Sequence, residues 1–158
     1  MDKIKRSRPN WDETWMQVVK VFEERVTCIH YQVGAIIASG QEFIAVGYNG
    51  PVAGEPHCTE VGCAKMVNGE KLPAGSDRCR GAHAEDNALN KAGKAAKGAS
   101  LYVSFRPCLT CAKRIINAGI KRVVYRKDYD GEEEAINILR RRGVDLIPFS
   151  SISQMKFD

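Results

Sequence analysis

Leu101-Tyr102-Val103-Ser104-Phe105-Arg106-Pro107-Cys108-Leu109-Thr110-Cys111 reads as a strand running directly into the start of a helix. The apolar run 101–105 has strand character, and Pro107 suits the first turn of a helix. That helix is expected to run to about Ala118 and stop at Gly119. Cys108 and Cys111, at i and i+3, share one face at the positive helix end, which lowers a thiol pKa. The partner stretch is His83-Ala84-Glu85, which opens an alanine-rich helix reaching about Ala96. Taken alone, Cys-x-x-Cys is equally a redox pair or half of a structural zinc knuckle, and His-x-Glu alone is close to noise. Together at two helix starts they compose a hydrolytic zinc centre, with three protein ligands and a fourth position left to water. Bound zinc brings water into the ionisable range near neutral pH, and Glu85 is available to carry protons.

Outward from these two stretches the elements alternate. Upstream, Asn10 caps a helix whose third residue is Glu13, a capping-box arrangement. Trp11, Trp15, Val18, Val19 and Phe22 recur at helical spacing as core residues, and the helix is expected to end near Arg25. Two strands follow, about 33–38 and 42–48, with Ser39-Gly40 as the tight turn. Pro51 through Ala82 reads as one long glycine-rich loop, a length that is usually functional or needs a brace of its own. Downstream come a strand at 122–125, then a helix starting at Asp130 with Glu132, Glu133 and Glu134 in its first turn. This helix ends with Arg140, Arg141, Arg142 and Gly143, so both ends complement the macrodipole. A final strand covers about 145–149. A helix between the last two strands implies a parallel crossover. The expected fold is a three-layer α/β/α sandwich with a mixed five-stranded sheet, last two strands parallel.

The chain has 158 residues, 44% of them hydrophobic, enough for a single domain with its own core. A net charge of +5 and pI near 8.9 are mild and suit an anionic small substrate. The basic start, about 1–9, carries Lys3, Lys5, Arg6 and Arg8 with no apolar run behind it, so it does not read as a secretory signal. No segment approaches membrane-spanning length. Six cysteines without a signal sequence suggest reduced thiols, metal and a cytoplasmic setting. Once Cys108 and Cys111 are assigned, Cys28, Cys58, Cys63 and Cys79 remain. Four thiols suit one closed tetrahedral zinc that would pin the long loop. The alternatives are that some are small buried hydrophobes, or that His57 competes as a ligand.

The pattern H-x-E…P-C-x-x-C is the signature of zinc nucleobase deaminases. More of the chain falls in order with it: Arg25-x-x-Cys28, Gln32-Val33-Gly34-Ala35, Gly47-Tyr48-Asn49-Gly50, Pro56-His57-Cys58, Val61-Gly62-Cys63 and Cys79-Arg80-Gly81-Ala82-His83. Ala112-Lys113, Asn117 through Lys121 and Val124-Tyr125 continue it. Across roughly residues 8 to 147 the chain resembles the deoxycytidylate (dCMP) deaminase family. The resemblance implies a cytidine deaminase-like fold and hydrolysis of dCMP to dUMP and ammonia, supplying thymidylate precursors. It implies zinc on His83, Cys108 and Cys111, with Glu85 as proton shuttle. It places Asn49 on the nucleotide, Arg25 at the 5′-phosphate, and Tyr125 and Arg126 as further phosphate candidates. It also implies a homo-hexamer activated by dCTP and inhibited by dTTP, with Mg2+ accompanying the triphosphate. The effector would sit at Gly47, Tyr48, Asn49 and Gly50. No nucleic-acid or membrane partner is implied. Competing functions are a deaminase of free cytidine, tRNA adenosine or a riboflavin-type precursor, and a non-catalytic zinc-braced binding module. The helix between the last two strands argues against the free-cytidine enzymes, which usually join them by a hairpin.

Overall fold

The computed structural model describes residues 7–73, 76–128 and 131–157. Five strands form one sheet in the order β2-β1-β7-β8-β9. These are β1 (Gly34–Ser39), β2 (Glu42–Tyr48), β7 (Ser100–Phe105), β8 (Arg122–Lys127) and β9 (Asp145–Pro148). β1 pairs antiparallel with β2 and β7, whereas β7–β8 and β8–β9 are parallel, so the sheet is mixed as expected. The β1–β2 turn is Gly40-Gln41, one residue later than expected, with Ser39 opposite Glu42 and Gly40 at φ +59°.

Helix α1 (Trp11–Glu23) covers one face. Its capping box is formed: Asn10 Oδ1 accepts from Glu13 N–H, and Glu13 Oε2 accepts from Asn10 N–H, both at 2.9 Å. The helix stops at Glu23, two residues before Arg25. Because strand side chains alternate between faces, Ile36, Tyr102 and Val124 meet Trp15, Met16 and Val19 of α1. Ile37, Leu101, Val103, Val123 and Tyr125 face the opposite cluster. There they meet α3 (Ala84–Ala92), α4 (Leu109–Asn117) and α5 (Glu133–Arg141). The α3 pattern breaks at Gly93 (φ +53°) into a 3-10 turn to Ala96. The expected start of α5 at Asp130 lies outside the described residues, as do Lys3, Lys5 and Arg6 of the basic start.

The expected loop 51–82 is corrected: it carries its own short elements. Strand β3 (Gly50–Pro51) pairs with β6 (Gly81–Ala82), closing the segment at its base. Between them lie α2 (Cys58–Val61) and a hairpin of β4 (Met66–Val67) and β5 (Glu70–Lys71). The β3–β6 pairing joins residues far apart in the chain, which local propensity does not announce, whereas β4–β5 turns on Asn68-Gly69, both at positive φ, a local signal that the loop reading passed over. No helix among the described residues is long and apolar enough to cross a membrane.

Candidate metal centre

β7 delivers the chain to the centre of the sheet edge, where Pro107 turns it into α4. α3 packs on β2 and β1, and its start lies beside the start of α4, where His83 meets Cys108 and Cys111. His83 is the N-cap residue of α3, and its ring makes no capping bond. Cys108 is the N-cap of α4, one position earlier than a first-turn residue, and its Sγ accepts from Cys111 N–H at 3.5 Å. His83 Nδ1 lies 3.3 Å from Cys111 Sγ and 3.6 Å from Cys108 Sγ. All three donor atoms fall within 4.8 Å of one another, the one such trio among the described residues. Zinc bonds of about 2.3 Å to sulfur and about 2.0 Å to nitrogen give tetrahedral N···S edges of roughly 3.5 Å, so the donors present fit that ion. An ion pair between Asp86 of α3 and Arg114 of α4 ties the two helices together beside the trio.

The protons of this cluster are already unevenly placed. A hydrogen bond from Cys111, joined by His83, brings the Cys108 thiol down to about 4. The same shared proton pushes Cys111 up, and the bond to Cys108 raises His83. Glu85, 5% exposed in the first turn of α3, is raised to about 6, chiefly by burial. A buried carboxyl poised near neutrality beside metal donors suits proton transfer.

The other expected site residues lie outside the trio. Asn49 spends both ends of its amide on backbone, accepting from Val33 N–H and donating to Tyr31 O, each at 2.9 Å. It thereby braces the entry to β1. Gly47 lies against α3 so closely that a Cβ would sit 2.1 Å from Ala84 O. Asn87 of α3 donates to Tyr48 O at 2.9 Å. The Gly47–Gly50 run is therefore a seam beneath the helix that carries His83 and Glu85. Arg25 is exposed just past α1. Tyr125 is 8% exposed within the α3–α4 side core, and burial raises its pKa. Arg126 projects to the α1 side, donating to Glu23 at 2.5 Å with the Phe157 ring 5.1 Å away.

Cys28, Cys58, Cys63 and Cys79 are all free thiols. Cys58 feels the other three electrostatically while burial raises its pKa, so Cys28, Cys63 and Cys79 gather around it. They do not form a trio as tight as the His83 group among the described residues. Arg80 Nη2 lies 3.9 Å from Cys58 Sγ, and the His57 N–H is held by Glu60 at 2.9 Å. Sequence reasoning missed Asn87, four residues on from His83 and hence on its face of the helix. It also missed Arg106, a charge where an apolar strand ends.

Residues 9–127 match the family described as the cytidine and deoxycytidylate deaminase zinc-binding region. The chain belongs to this family. It is 37% identical over 143 residues to the deoxycytidylate deaminase of Schizosaccharomyces pombe, covering 89% of this chain and 44% of that protein. It is 38% identical over 141 residues to ComE operon protein 2 of Bacillus subtilis, covering 87% of this chain and 70% of that protein. The chain thus spans less than half the length of the yeast relative. Among solved structures, the dCMP deaminase of cyanophage S-TIM5 in complex with dCMP and dUMP superposes with a TM-score of 0.72 at 29% identity. That match covers 90% of this chain and 99% of the phage chain.

Proposed function

We propose that the chain is a zinc-dependent hydrolase converting dCMP and water to dUMP and ammonia. The observation that carries this is the convergence of His83, Cys108 and Cys111 with the buried carboxyl of Glu85 in the first turn of the same helix as His83. When bound, zinc supplies a water that ionises near neutral pH and is thereby a nucleophile towards an amidine carbon. His83, Cys108 and Cys111 hold the ion, and the thiolates offset its charge. Glu85 accepts the proton that the water gives up and delivers it to N3 of the cytosine. It then takes the remaining proton from the hydroxyl added at C4, which becomes the carbonyl of dUMP, and passes it to the departing amine, contributing about 10²–10⁴-fold as a placed acid–base group. Within this proposal Arg25 takes the 5′-phosphate ahead of Arg126, because Arg25 is exposed and the Arg126 head is engaged by Glu23. A guanidinium fork matches phosphate oxygens two at a time. Asn49 and Tyr125 shape the nucleotide pocket, Asn49 by fixing residues 31–33 beside it.

Cys58 and the three thiols around it support a second, structural zinc that would draw them together. The resemblance of Gly47-Tyr48-Asn49-Gly50 supports dCTP activation and dTTP inhibition, with Mg2+ on the triphosphate, in a homo-hexamer. Six free cysteines suit a reducing compartment such as the cytoplasm. One ammonia-release assay over dCMP, dCTP, cytidine and a tRNA anticodon stem-loop, with and without dCTP and dTTP, tests the reading. dCMP is expected to give the highest kcat/KM. Preferential turnover of the stem-loop, falling steeply with added salt, would replace it with an RNA-acting deaminase.

A further inference from the structure

The first residue of α4, Leu109, donates its backbone N–H to the carboxylate of Glu132 at 2.6 Å. Glu132 is the N-cap residue of α5, yet its side chain makes no capping bond to α5. It caps the neighbouring helix instead. It does so from left-handed backbone, φ 54° and ψ 44°, a conformation that side chains with a Cβ rarely adopt.

Arg106 holds that conformation in place. It is 4% exposed, between β7 and Pro107. Its Nε donates to Asp128 Oδ1 at 2.5 Å, its Nη2 to Gly131 O at 3.0 Å and its Nη1 to Glu132 O at 3.5 Å. Its own backbone N–H reaches Lys127 O at 2.9 Å. One buried guanidinium thus gathers both ends of the connection after β8 and turns Glu132 towards α4.

The need for such a cap follows from the identity of α4's own N-cap. Cys108 Sγ accepts the Cys111 N–H, but the same sulfur is one of the three metal donors. That bond answers the Cys111 N–H, and the Leu109 N–H at the tip of α4 must find its partner outside the helix. The first turn of α4 then keeps its unpaired N–H groups and its positive end unless another anion meets them.

We propose that Glu132 is a positioning residue of the metal centre, capping α4 from outside while Cys108 serves the metal, with Arg106 as its anchor. This rests on the zinc reading above. Glu132 is exposed, so its substitution spares the core. The test loads wild type, Glu132→Ala and Glu132→Gln with cobalt(II), follows the thiolate-to-cobalt charge-transfer band, and measures affinity by chelator competition. kcat, KM and the melting temperature of the metal-free chains are measured in parallel. Glu132→Ala is expected to weaken cobalt binding by about tenfold or more, the scale for residues that orient metal ligands, and to shift the band. It should lower kcat with KM nearly unchanged. Glu132→Gln keeps an acceptor oxygen and should recover most of the affinity. Wild-type affinity and band in Glu132→Ala would overturn the proposal. So would equal losses in both variants that track a lowered metal-free melting temperature. A wild type showing no thiolate–cobalt band would instead remove the zinc reading itself.

Discussion

Gly47→Ala tests whether the metal centre is held by the fit of α3 onto β2. A Cβ at residue 47 would lie 2.1 Å from Ala84 O, 2.5 Å from Ala88 N and 3.1 Å from Asn87 C. All three are backbone atoms, so no side chain can swing aside. Reaching the ordinary contact distance of 3.4 Å means opening the seam by about 1.3 Å at Ala84. Ala84 stands between His83 and Glu85, so the opening displaces a candidate metal donor and the proposed proton carrier together. Overpacking of this kind costs about 1–3 kcal/mol, and a misplacement of about 1 Å costs on the order of 100-fold in rate. Gly34→Ala is the matched control. Its Cβ would meet Val19 O at 2.6 Å, again backbone, but in α1 on the far face of the sheet. Both variants should melt earlier than wild type. Ammonia release from dCMP, measured well below either melting temperature, should collapse in Gly47→Ala and survive in Gly34→Ala. Equal turnover losses in the two, or full turnover in Gly47→Ala, would refute the reasoning.

Asp12 docks α1 on the sheet by accepting from both Arg122 Nη atoms, at 2.6 and 2.9 Å, and from Tyr102 Oη at 2.7 Å. With about a quarter of each partner exposed, Asp12→Ala is expected to cost about 1–2 kcal/mol in denaturant unfolding, without changing metal content. The Arg122 hydrogen bond holds the Asp12 carboxyl below its ordinary 3.8. The unfolded chain therefore binds more protons as pH falls past that value. The stabilisation is complete above about pH 4 and drains away towards the folded pKa, and unfolding curves of wild type and variant should converge there. For the second metal, purified protein is expected to carry close to two zinc ions per chain. Simultaneous Cys58→Ser and Cys63→Ser should lower that to one while turnover per remaining zinc persists. A ratio of one in wild type would remove the four-cysteine site.

Much of the fold was legible because its signals are local. Asn10 and Glu13 announce a capping box within three residues, and an apolar run ending at Pro107-Cys108 announces a strand feeding a helix. Arginines 140–142 before Gly143 close a helix that forces the last strands to be parallel. The trio was legible because His83 and Cys108 both sit at helix starts, where two short motifs can meet. What stayed hidden depends on distant partners. Gly50 and Pro51 become strand only by meeting Gly81 and Ala82. Gly47 is a glycine because α3 crosses it, not because its own backbone demands one. Arg126 shares the parity of Val124 on β8 and so faces α1, where Glu23 waits. Glu132 looked like one more acid in a helix's first turn, and only the folded chain shows that it serves another helix.

The central claim, that Glu85 moves protons at a metal held by His83, Cys108 and Cys111, is tested most directly by one paired measurement on Glu85→Gln. Zinc content and ammonia release from dCMP are recorded on the same preparation. Unchanged zinc with turnover lowered by about 10²–10⁴-fold is predicted. Turnover near wild type, or a loss that merely follows lost zinc, would contradict it.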